Sequence, residues 1–181
     1  FDHIQPPDHF RYKEGEVLIK NYYEFTCDNR IYFTQTVHKD LENQTYKFNI
    51  EILSSIDAYG LAMDFNEVDK LYEREIAPYI DGQLVNETLP EMNTTAENIA
   101  IWIWHQFNKH LPENNSLQKL EFFEIKSPCI SVCEHNQRGY CKGCYRSREE
   151  RIHWRQYLPV KRYHILTLCY QRKLKEKEGF G

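Results

Sequence analysis

The sequence predicts an α+β protein, helices packed on an antiparallel sheet, with a small helical four-cysteine module behind it. Three observations carry this. Thr45 to Ile52 alternates, with Tyr46, Phe48, Ile50 and Ile52 to one side and Lys47, Asn49 and Glu51 to the other, as in a half-buried antiparallel strand. Residues 96–110 repeat apolar side chains (Ile99, Ala100, Ile103, Trp104, Phe107) at helical spacing. Four cysteines then fall within sixteen residues, Cys129, Cys133, Cys141 and Cys144.

Each element follows in chain order. Residues 1–16 are polar, carry two prolines and read as an N-terminal extension. Val17 to Phe25 is apolar and aromatic, as in a strand. Ile31 to Val37 continues it after a turn near Asp28-Asn29, and Thr45 to Ile52 follows. Asp57-Ala58-Tyr59-Gly60 is a turn. Asn66 to Ile76 reads as a helix with Val68, Leu71 and Tyr72 on one face and Asn66 as its N-cap. Ala77-Pro78 ends it, and residues 80–93 form a loop. Thr94 or Thr95 caps the helix from Ala96 to His110, and Leu117 to Ile125 is a further strand. Beyond the cysteines, Ser147-Arg148-Glu149-Glu150 opens a helix. Pro159 breaks the run, and Val160 to Lys175 forms another helix. Trp154 and Cys169 are the core of this last part.

The cysteines read C-x3-C-x7-C-x2-C. Two close pairs joined by a short loop can wrap one ion tetrahedrally, which suits Zn²⁺ or a small iron–sulfur cluster. Lys142, Arg138 and Arg146 would offset the charge of four thiolates. Two disulfides are the alternative use of the same residues.

Charge divides the chain. The net charge is −4, yet residues 127–181 carry 12 Lys and Arg against 5 Asp and Glu, while residues 1–126 carry 11 against 22. Such a split implies two parts with different partners. The basic part suits RNA, an acidic protein, or the acidic part of a neighbouring subunit. For RNA, Arg146, Arg148, Arg151, Arg155, Lys161 and Arg162 interleave with Tyr145, Trp154 and Tyr157, a mix that pairs phosphates and stacks bases. No basic stretch followed by an apolar run opens the chain, and no segment has the length of a membrane span. The expectation is a soluble, cytoplasmic protein without a membrane partner.

Residues 17–125 resemble the 6-pyruvoyl/6-carboxy-tetrahydropterin synthase family. The stretches that carry the resemblance are Tyr23 to Arg30, Leu41 to Tyr46, Gly60-Leu61-Ala62-Met63-Asp64-Phe65 and Thr95 to Trp104. The resemblance implies a tunnelling fold, an antiparallel four-stranded sheet with two helices, assembled into trimers or hexamers around a pterin or purine ligand. Working members hold a catalytic zinc with three histidines; the matching positions here are Asn29, Glu42 and Gln44. Amides are weak ligands for Zn²⁺, and one carboxylate does not make up for them. The catalytic cysteine position is His38, and the aspartate–histidine pair reads Asp81-Gly82. Glu124 matches the glutamate that anchors the ring, and Thr95 a threonine near its pocket. No His-x-His pair exists anywhere in the chain.

Residues 127–175 resemble small bacterial domains of unknown function described as iron–sulfur binding. The matching residues are Ser127-Pro128-Cys129, Cys133, Gly139-Tyr140-Cys141-Lys142-Gly143-Cys144, Arg146, Glu150 and Trp154. The domain boundaries that follow are 1–16, 17–126 and 127–181. Together these resemblances imply a non-catalytic ligand-binding or assembly protein with a structural metal site. The alternative is a metal-independent enzyme on a pterin-like or purine-like compound, with His38, Asp81 and Glu124 as its acid and base groups.

Overall fold

The computed structural model describes residues 1–125, 132 and 134–179, with the side chains of Arg155 and Pro159 outside that description. The chain divides into two compact units, Phe1–Ile125 and Lys126–Gly181.

The first unit is built on two long strands, β1 (Glu16–Tyr32) and β2 (His38–Ser55), joined by a hairpin. A third strand, β3 (Asn115–Ile125), pairs antiparallel with β2, giving the order β1-β2-β3. Four helical segments separate β2 from β3: α1 (Phe65–Glu75), α2 (Ala77–Ile80), α3 (Val85–Thr88) and α4 (Ala96–His110). The alternation read from Thr45 to Ile52 holds: Tyr46, Phe48, Ile50 and Ile52 are all buried. They form one core with Val68 and Leu71 of α1 and with Ile99, Ile103 and Phe107 of α4. Each such side chain contributes roughly 1.5–3 kcal/mol by leaving water.

Three sequence expectations are corrected. The described sheet has three strands, not four. Asp28-Asn29 is not a turn, because β1 runs through it; the turn lies at residues 33–37. The cap of α1 is Asp64, whose carboxylate accepts the Asn66 N–H at 2.8 Å. The helix α4 begins where its cap signal put it, with the Thr95 hydroxyl accepting from Asn98 N.

The missing fourth strand has a physical substitute. Residues 81–93 run along the outer edge of β1 and satisfy its backbone without forming a strand. Asp81 Oδ1 accepts the Thr26 N–H (3.1 Å), Gly82 N donates to Thr26 O (2.7 Å) and Gln83 O accepts the Asp28 N–H (2.8 Å). The Asn86 amide pairs with both backbone groups of Arg30, and the Asn93 amide does the same for Tyr32. An edge covered in this way is closed to unwanted strand pairing.

The second unit contains α5 (Arg148–Ile152), a short 3₁₀ turn (Trp154–Gln156) and α6 (Pro159–Lys177). Ser147 and Glu150 form a full capping box at the start of α5. Trp154, Ile165 and Cys169 make a small buried cluster, as the sequence implied.

Candidate functional site

In the first unit the relevant residues lie where β1 and β2 approach the hairpin. Cys27 faces Gln44 and Asn29 faces Leu41, so two residues of β2, Glu42 and Asn43, stand against Asp28 alone. This is a β-bulge. Asn43 takes φ 57°, and its N–H is accepted by Asp28 Oδ1 at 2.6 Å. Directly opposed residues share a sheet face, so Leu41 and Gln44 lie on the side of Cys27 and Asn29. Glu42 is exposed, whereas Leu41 and Gln44 are half-buried.

Asn29 is only 2% exposed, and its amide nitrogen donates to Thr94 O at 2.8 Å. Cys27 beside it is buried, and its thiol is pushed up to about 12, by burial first and then by Asp28 and Asp81. Burial likewise drives the Tyr46 phenol well above its ordinary range, with Cys27 and Glu124 adding to the effect. An open cleft of about 460 Å³ borders this region, lined by Asn29, Arg30, Asp40, Glu42, Asn86 and Glu87 among others. Arg30 grips Asp40 with two bonds, 2.6 and 2.9 Å, and this hydrogen-bonded pairing holds the Asp40 carboxyl below its usual range.

The sequence-derived residues separate. Asn29 and Glu42 reach the cleft. His38 is exposed at the start of β2, its ring 5.6 Å from that of Tyr32. Asp81 is tied to the β1 backbone. Thr95 caps α4. Glu124 is exposed, opposite Tyr46 in the β2–β3 register. Sequence reasoning missed Cys27 and Thr94, both buried beside Asn29; an isolated cysteine in a strand gives no signal of its own.

In the second unit, Cys141 and Cys144 are both buried. Cys141 N donates to Arg146 O (2.9 Å) and Tyr145 N to Cys141 O (2.7 Å), which closes the Cys-Lys-Gly-Cys turn. Burial alone would raise the Cys141 thiol. The N–H groups of Cys144 and Gly143, the Cys144 side chain and Arg151 outweigh it and leave the thiol below its ordinary range. Cys129 and Cys133, the other half of the motif, lie outside the described residues. Among the described residues no three His, Cys, Asp or Glu side chains converge as a metal site.

The proposed RNA-contacting set is partly corrected. Arg146, Trp154 and Arg162 are buried, at 4%, 8% and 5% exposure. They pack within the unit and cannot reach phosphates or bases.

Comparison with known proteins bears on both units. Residues 21–135 match the family described as 6-pyruvoyl tetrahydropterin synthase, more than half of the chain. The chain belongs to the 6-pyruvoyl tetrahydropterin synthase family. Residues 127–173 match a second family, described as a protein of unknown function (DUF1289). The uncharacterized protein YdhL of Escherichia coli (strain K12) is 41% identical over 59 residues, 33% of this chain and 75% of its own. The dihydroneopterin monophosphate aldolase of Pyrococcus furiosus is 28% identical over 86 residues, 48% of this chain and 72% of its own. The solved structure of Caenorhabditis elegans 6-pyruvoyl tetrahydropterin synthase aligns at a TM-score of 0.47 and 10% identity, covering 62% of this chain and 97% of that one.

Most of the synthase-family match, 21–135, falls in the unit Phe1–Ile125 with its three-stranded sheet, and the same chain carries the unit Lys126–Gly181. Among the described residues no helix is long and apolar enough to cross a membrane.

Proposed function

We infer that this member of the synthase family is non-catalytic, a ligand-binding or assembly protein whose metal belongs to the four-cysteine module. One observation carries the reading. Asn29, at the position of the family's first zinc histidine, is buried with its amide nitrogen committed to Thr94 O. The other two positions add an exposed carboxylate and a half-buried amide, Glu42 and Gln44. This donor set does not fit zinc, which takes imidazole, thiolate or carboxylate. The candidate catalytic groups fare no better: His38 neighbours the cleft residue Tyr32 without lining the cleft itself, and Asp81 is occupied with Thr26.

The donor set of the second unit does fit. Cys129, Cys133, Cys141 and Cys144 would hold Zn²⁺, or an iron–sulfur cluster, as a closed structural site. Such a site contributes folding energy to a unit whose described core is small. Glu124 and Thr95 remain the residues proposed to meet a pterin or purine ring. The assembly proposed is a homo-oligomer, trimer or hexamer.

The test is elemental analysis with an absorption spectrum on the purified chain, alongside an assay for turnover of dihydroneopterin monophosphate. One zinc per chain and no turnover supports the reading. Iron with sulfide bands replaces zinc by a cluster. Two zinc ions per chain, or turnover with or without a chelator, overturns it.

A further inference from the structure

Three basic residues lie in or beside the cysteine turn, Lys142 within it and Arg138 and Arg146 on either side, and the structure separates their roles. Lys142 pairs with Glu134 at 3.2 Å on the surface. Arg138 is exposed. Arg146 alone turns inward: its Nε donates to Cys144 Sγ at 3.4 Å, and its guanidinium carbon lies 4.7 Å from the centre of the Trp154 ring. Arg162 in turn donates from Nε to Trp154 O at 3.0 Å, with its own guanidinium 6.0 Å from that ring.

A guanidinium this far from water needs a partner for its charge. The described ion pairs give Arg146 no carboxylate. A neutral thiol is a poor acceptor. A thiolate is a good one, because the bond is then charge-assisted. The ring supplies the remainder through cation–π attraction. The geometry is that of a cation laid over the Trp154 ring and presented to one sulfur, while Arg162 bonds the backbone of that same tryptophan.

We propose that Arg146 is a positioning residue for the metal centre, the hydrogen-bonded counter-ion of the Cys144 thiolate. This rests on the metal reading above. Four thiolates around Zn²⁺ leave two negative charges in a small unit, and Arg146 offsets part of that charge from inside. Outer partners of this kind set metal affinity without supplying a ligand.

The experiment is metal competition on the full chain, wild type beside Arg146→Met and Arg146→Lys. Zn²⁺ affinity is read against a chromophoric chelator, and Co²⁺ is used for its thiolate-to-metal charge-transfer band. Zinc affinity of Arg146→Met falls about 10- to 100-fold. Arg146→Lys falls between it and wild type, since lysine restores charge but not the planar fork. At saturating Co²⁺ the band of Arg146→Met keeps its intensity and moves to lower energy. The ligand count is then unchanged, while the sulfur has lost a hydrogen bond. A purely structural role for Arg146 would leave the band where it is. Wild-type affinity and band position in both variants overturn the inference and spare the metal reading. Absence of any bound metal in the wild type overturns both.

Discussion

The side-chain amide of Asn86 pairs with the backbone of Arg30 as a neighbouring strand would: Oδ1 accepts the Arg30 N–H at 2.7 Å and Nδ2 donates to Arg30 O at 3.0 Å. One amide thereby covers the Arg30 step of an edge that residues 81–93 cover together. Asn86→Ala loses both bonds at an exposed site and costs about 1 kcal/mol. Asn86→Asp costs more at pH 7, because its second oxygen faces Arg30 O with no proton to give. Urea unfolding of both variants checks the order; an aspartate variant as stable as wild type refutes the pairing.

Asn43 holds the bulge open at φ 57°. Asparagine tolerates this region and glycine prefers it, whereas alanine is strained there. Asn43→Gly is expected to lie within about 0.5 kcal/mol of wild type, and Asn43→Ala about 1 kcal/mol below it. Thermal denaturation of the pair distinguishes this from a bulge held by side-chain bonding, for which the two variants would fall equally.

Arg172 binds Glu150 through two bonds, 2.7 and 3.0 Å, with both side chains largely shielded. Burial would raise the Glu150 carboxyl, yet Arg172 and the Ser147 N–H hold it below its ordinary 4.5. A depressed carboxylate contributes stability above its unfolded value and loses it as pH falls through the folded one. Arg172→Met therefore costs about 2–3 kcal/mol at pH 7, somewhat under the range for a fully buried pair. The difference from wild type narrows below pH 4.5. Denaturant curves at pH 7 and pH 3 measure both effects; a gap that does not narrow contradicts the assignment.

Cys27, with its thiol near 12, is expected to resist alkylation in the native protein at pH 8. It should label fully in denaturant. Mass spectrometry of iodoacetamide-treated chain reads the site directly, and rapid native labelling of Cys27 would show that its surroundings are open.

Much of this was legible beforehand. The alternation of Tyr46 to Ile52 and the spacing of Ile99, Ile103 and Phe107 named the core, because burial acts on a periodic pattern that sequence displays. The Thr95 cap and the Ser147–Glu150 box were legible for the same reason: their bonds are local. What escaped was long-range and side-chain-made. Asn86 and Asn93 stand 56 and 61 residues from the backbone they pair with, and asparagines in a loop look alike until the edge beside them is known. Asp28-Asn29 carries ordinary turn residues, but the extra residue sits across from them, on the other strand. At the candidate site, the type of donor at Asn29, Glu42 and Gln44 could be read directly. That Asn29 is sealed against Thr94 could not.

The bulge opposite Asp28 also bears on how this segment can change by descent. Side chains along a strand alternate every two residues, so one residue more or fewer exchanges the two faces. Loss of Asn43 would return β2 to plain alternation, and each position from His38 to Glu42 would then trade sides of the sheet. Exchanges of letter at positions 38 to 42 keep the face each side chain takes and alter only its chemistry. A deletion of a single codon at Asn43 would turn that end of the hairpin inside out.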